Sequence, residues 1–206
     1  MQKFERADFE VKEYVESENY GKFVLSPLER GFGTTIGNAL RRVLLSSLPG
    51  AAVFSIKVDG VYHEFTTIPG IREDVSMIIL QLKQLVMTIE DDDVYDLQIS
   101  AKGPCTITAG DIICPAQVEI LNKDLEIAHL EKDVTLEMEL KAKNGRGYVS
   151  ADINKQLNQG ASQGIGTVYT DSIYTPIEKV SYNVEPTRVG EDVKYDSSVS
   201  YTHLTL

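Results

Sequence analysis

The sequence predicts an α+β fold in which a mostly antiparallel sheet carries helices. Three observations say so. Over most of the chain, apolar residues alternate with polar ones in short runs bounded by turn residues, as half-buried strands require. Two stretches, near residues 34–48 and 75–89, instead repeat their apolar residues with the 3.6 period of a helix. Finally, Leu, Ile and Val are spread along all 206 residues, enough for one large domain or two intimately joined smaller ones.

The first segment, 9–25, carries Val11, Tyr14, Val15, Phe23, Val24 and Leu25 around Ser17-Glu18-Asn19-Tyr20-Gly21, which reads as a hairpin. A loop over 26–33 precedes the first helix, which Pro49-Gly50 stops. Ala52, Phe54, Ile56 and Val58 then alternate with polar or small residues, and Asp59-Gly60 predicts a two-residue turn into a partner strand over 61–65. Glu73-Asp74 place negative charge in the first turn of the second helix, whose apolar positions are Val75, Ile78, Ile79, Leu82, Leu85, Val86 and Ile89. The acidic run Glu90-Asp91-Asp92-Asp93 suits a solvated loop better than a helix C-terminus or a metal site. Short alternating runs at 95–99, 105–107, 118–120, 125–127 and 134–140 make the middle of the chain mostly sheet. Residues 144–147 read as a turn and 154–166 as an exposed loop, with strands near 168–174 and 177–184 after it.

Composition narrows the function. The formal charge is −11 and the basic residues are scattered, so no phosphate-neutralising surface is expected and the partners should be proteins. Cys105, Cys114, His63, His129 and His203 show no metal-ligand spacing, so neither metal nor cofactor is expected. No stretch approaches the ~18 consecutive apolar residues of a membrane span, and the N-terminus has no apolar signal-peptide run. A cytoplasmic protein is expected.

The first helix holds more apolar surface than one core needs. At about 100° per residue, Ile36, Ala39, Leu40, Val43, Leu44 and Leu48 form one broad stripe for the protein's own core. Leu45 falls opposite, beside Asn38, Arg41 and Arg42, and Phe32 precedes the helix with no strand to bury it. Leu45 is either a singly exposed leucine beside a solvated arginine face or part of a partner interface, where the arginines would pair with carboxylates. The glycines of Gly31-Phe32-Gly33-Thr34-Thr35-Ile36-Gly37 allow a second function, a nucleotide-binding small-molecule enzyme. Their spacing matches neither the dinucleotide fingerprint nor the phosphate loop, so the simpler role is a tight entry into the helix.

The contiguous run 28–50, from Leu28-Glu29-Arg30-Gly31-Phe32-Gly33 through Gly37-Asn38-Ala39-Leu40-Arg41-Arg42 to Ser47-Leu48-Pro49-Gly50, resembles the signature of bacterial RNA polymerase alpha subunits. Val58-Asp59-Gly60-Val61, His63-Glu64-Phe65, Gly145-Arg146-Gly147-Tyr148-Val149 and the stretch from Tyr174-Thr175-Pro176 to Glu185 agree in order, so the resemblance covers roughly residues 4–190. It implies a dimerisation subdomain, residues 1–50 and 175–206, that pairs an antiparallel sheet with a helix. An inserted, mostly antiparallel subdomain, 51–174, would interrupt it. It further implies a non-catalytic homodimer that nucleates a DNA-directed RNA polymerase, a nucleotidyltransferase whose catalytic carboxylates lie in the large subunits. One protomer would hold the beta subunit and the other beta-prime. By position, Arg42 and Leu45, with Arg41 beside them, correspond to the beta contact, and Phe32, Ile36, Val43 and Ser47 to the dimer face.

The pattern departs from the family after Val189-Gly190. A strand, a second amphipathic helix, a linker and a DNA- and activator-binding domain would follow, whereas 195–206 shows no helical pattern. The expectation is a C-terminally truncated chain whose last eight or so residues are foreign, which dimerises poorly and makes no promoter contact.

Overall fold

Alternation sets the strands, and every ladder they form is antiparallel. The computed structural model describes residues 6–204 except 16, 18, 159–165, 190 and 191. The chain divides into two units, one of Met1–Leu48 with Thr175–Leu206, the other Pro49–Tyr174.

In the first unit the opening hairpin is β1 (Asp8–Val15) and β2 (Tyr20–Glu29). The expected loop over 26–33 is mostly the end of β2. Ser26 and Pro27 together face the single Ser197, a bulge that admits a proline, which has no N–H to give the ladder. Helix α1 (Phe32–Ser46) follows. After the second unit the chain returns as β13 (Ile177–Val189) and β14 (Asp192–Leu204), giving the strand order β1-β2-β14-β13. Most of the stretch expected to be foreign is therefore a central strand: Ser198–Thr202 pair with both β2 and β13, and Val199 and Thr202 are buried.

The second unit is built on β3 (Pro49–Val58), β5 (Tyr95–Lys102), β9 (Thr135–Arg146) and β11 (Thr167–Tyr169), in the order β11-β3-β9-β5. Small ladders join β4 (Met87–Ile89) to β7 (Val118–Ile120), β6 (Cys105–Thr108) to β8 (Glu126–Leu130), and β10 (Tyr148–Val149) to β12 (Ser172–Ile173). One face of the main sheet sends Ile56, Val58, Leu97, Ile99, Leu136, Met138 and Leu140 into a core with Ile78, Ile79 and Leu82 of helix α2 (Val75–Leu82). Each such side chain contributes about 1.5–3 kcal/mol by leaving water. The opposite face is polar, with Lys57–Glu139 at 3.1 Å and Lys141–Asp96 at 2.9 Å.

Four sequence expectations for this unit need correction. Helix α2 stops at Leu82, where Asp74 caps its start by accepting the Met77 N–H; Leu85, Met87 and Ile89 are buried at strand spacing, and Val86 N–H donates to Asn122 Oδ1. Asp59-Gly60 does turn, with Gly60 at φ 78°, but 61–65 forms no strand and β3 pairs with β9 and β11 instead. The expected turn at 144–147 reduces to Gly147, since β9 runs to Arg146. The expected loop at 154–166 also begins as a helix, α3 (Ala151–Leu157), capped by Ser150, while 159–165 lie outside the described residues. Asn154 on α3 is fully buried, donating to Thr170 O at 2.8 Å and Ser172 Oγ at 3.0 Å.

Candidate functional site

Helix α1 carries the candidate site, and its seating on the sheet decides what it shows. The buried residues of α1 are Gly33 and Gly37. A Cβ on Gly33 would lie 2.7 Å from Val184 Cγ1, and one on Gly37 would lie 2.5 Å from Tyr182 Cδ2. Glycine at both positions lets the helix backbone approach β13 closely. Arg41, one turn further on, donates its Nε to Val180 O at 3.1 Å. The helix starts at Gly31, whose φ of 91° suits glycine, and no side chain of its own caps it. Asp196 on β14 does so from a distance, its Oδ2 accepting the Gly31 N–H at 2.8 Å, and its negative charge suits a helix N-terminus.

This seating splits the expected core stripe. Leu44 and Leu48 are half-buried, as is Ile36, but Ala39 is exposed, Leu40 is 40% and Val43 51% exposed. With Phe32 at 53% and Ser47 exposed, the residues assigned to the dimer face fall along one outward side, Ile36 being the most covered. A close approach through glycine needs no large side chains beneath the helix, so the aliphatic ones turn outward. Leu45, expected to stand free, is half-buried, and Arg42 beside it on the wheel is exposed and in no ion pair among the described residues. Arg41, expected at the partner contact, is exposed and gives its Nε donor to its own sheet.

The phosphate-loop alternative fails on the same geometry. Gly33 and Gly37 are filled against the sheet, and the Gly31 N–H already serves a carboxylate, which would repel a phosphate. Of these features, the G-x-x-x-G spacing was a readable sign of close packing, whereas Asp196 lies 165 residues from Gly31 and had no local signal.

Ionisable groups elsewhere serve the second unit. Burial works against the Glu73 carboxylate, but the backbone N–H and ring of His129, each at 2.7 Å, outweigh it and hold its pKa below the usual value. Tyr95 is pushed up to about 12, first by its hydrogen bond to Asp91. Burial pushes the Cys114 thiol up, away from reactive thiolate. Among the described residues no three His, Cys, Asp or Glu side chains gather as a metal site, and no helix is long and apolar enough to cross a membrane.

Comparison with known proteins gives the family of the chain. Residues 56–175 match the family model described as the RNA polymerase Rpb3/RpoA insert domain. The chain belongs to the RNA polymerase alpha-subunit family. It is 53% identical over 196 residues to the DNA-directed RNA polymerase subunit alpha of Alkaliphilus metalliredigens, covering 95% of this chain and 61% of that one. The subunit alpha of Oenococcus oeni is 57% identical over 181 residues, 88% of this chain and 57% of that one. For Desulforamulus reducens the figures are 52% over 196 residues, 95% and 61%. The chain thus spans about three fifths of the length of these alpha-subunit relatives.

Proposed function

We propose that this chain acts as the assembly region of a cytoplasmic bacterial RNA polymerase alpha subunit, a non-catalytic platform in the enzyme that transcribes DNA into RNA. The unit of β1, β2, α1, β13 and β14 is the dimerisation part, and Pro49–Tyr174 is the insert. Two copies meet through Phe32, Ile36, Val43 and Ser47; Arg42 and Leu45 take the beta subunit on one protomer, and the other protomer holds beta-prime. The observation that carries the reading is the double-sided character of α1: a helix already seated on its own sheet still exposes half of Phe32 and Val43, with Arg42, in no ion pair among the described residues, nearby. Such an apolar row rimmed by arginine is the composition of a protein interface. The formal charge of −11 supports a reading in which the partners, not this chain, take the nucleic acid.

Co-purification of the chain with co-expressed beta and beta-prime tests this. Arg42→Ala should cut recovery of beta about ten-fold or more, the usual size of a hot-spot arginine, with the fold intact. Unchanged recovery would remove Arg42 from the interface.

A further inference from the structure

We propose that Arg41 is a positioning residue for the beta-subunit site: it pins the C-terminal half of α1 to β13 and thereby sets where Arg42 and Leu45 stand. This rests on the proposed function, because it assigns Arg41 a role relative to the contact made by its neighbours.

The argument begins with register. Gly33 lies over Val184, Gly37 over Tyr182, and Arg41 bonds to Val180. Each step is four residues along the helix and two back along the strand. Four helical residues rise about 6 Å and two strand residues about 6.8 Å, so the elements run antiparallel in near-perfect step. The first two rungs are steric: glycine allows approach but holds nothing in place. At the third rung the contact is a directed hydrogen bond from Nε to a carbonyl of an edge strand. Among the described residues, Arg41 is the one side chain of α1 that donates to the sheet, and it precedes the two candidate contact residues. Across the helix, Arg42 lies about 100° away from it and Leu45 follows one turn later. Rotation of the last turns, resisted by Arg41, would carry both off their present bearing. The Nε donor spends one of five guanidinium N–H groups on a neutral acceptor. This bond needs a donor and reach, whereas a partner contact through Arg41 would need its charge.

The test is a double-mutant cycle on the full chain with the co-expressed beta subunit, binding being read at several salt concentrations. Arg41→Ala should weaken binding by the folded protein about five-fold, the equivalent of one hydrogen bond of about 1 kcal/mol. The double variant with Arg42→Ala should lose little beyond Arg42→Ala alone, since both act through the same contact. The salt dependence of binding should stay as in the unsubstituted chain for Arg41→Ala and flatten for Arg42→Ala. Additive losses, or a flattened salt dependence for Arg41→Ala, would make Arg41 a direct contact and overturn the proposal; unchanged binding by folded Arg41→Ala would make it merely structural and overturn it too. Amide exchange on the chain alone separates this inference from the reading it rests on. Faster exchange over residues 38–47 in Arg41→Ala supports the pin even if Arg42→Ala binds beta normally and the interface assignment fails. Unchanged exchange there overturns the pin.

Discussion

Gly37 shows how little a side chain must grow to change this protein. Its absent Cβ would stand 2.5 Å from the Tyr182 ring, so Gly37→Ala must displace either that ring or the helix from its seat on β13. The expected cost is about 1–3 kcal/mol in urea denaturation, against less than about 0.5 for Asn38→Ala on the exposed side. Sequence alone revealed that glycines enter the helix, but not that two of them lie on its sheet-facing side, because their partners Tyr182 and Val184 come from the far end of the chain. Glu73 makes a second residue-scale prediction. Its pKa is lowered on folding, so its contribution is fully present above the unfolded value of 4.5 and is lost as pH falls through the folded one. The stability gap between the unsubstituted chain and Glu73→Gln, measured from neutral pH downward, should hold to about pH 5 and close below it. A gap that widens on acidification would assign the stabilisation elsewhere.

At the scale of elements, periodicity recovered the opening hairpin, α1, β5, β9 and β13, because those segments obey one period over many residues. It extended α2 by about two turns, since Leu85, Val86 and Ile89 satisfy a helical count, and only the pairing of Met87–Ile89 with β7 overrules it. It missed α3 because Asn154 reads as a loop residue until the acceptors Thr170 and Ser172 are beside it. Asn154→Ala should therefore cost about 2 kcal/mol, well above a surface change, and Ser172 Oγ loses a donor with it. The outward face of α1 gives the complementary test. Val43→Glu adds charge at a position already half exposed, so the folded monomer should keep its melting temperature within a few degrees while any self-association seen by sedimentation falls. Loss of folding in Val43→Glu would mean that the outward row belongs to the monomer's own core.

The whole molecule combines an acidic surface with a family built around transcription. At −11, the chain should show no saturable binding to a labelled DNA duplex by fluorescence anisotropy at physiological salt. Under the proposed function, its route to the template runs through protein partners. Those partners were legible only as a resemblance carried by residues 28–50. The physical reason for that run, a helix seated by glycine with its aliphatic side turned out, needed the second half of the sheet, which arrives more than 130 residues later with β13. The most direct measurement of the central claim places a photo-cross-linking amino acid at Leu45 or Val43 of α1, with Gln98 on the polar sheet face of β5 as control. The account predicts an adduct with beta from position 45, an adduct with a second copy of this chain from position 43, and neither from 98. Equal adducts from all three positions, or none from 45 and 43 within an assembled polymerase, would contradict it.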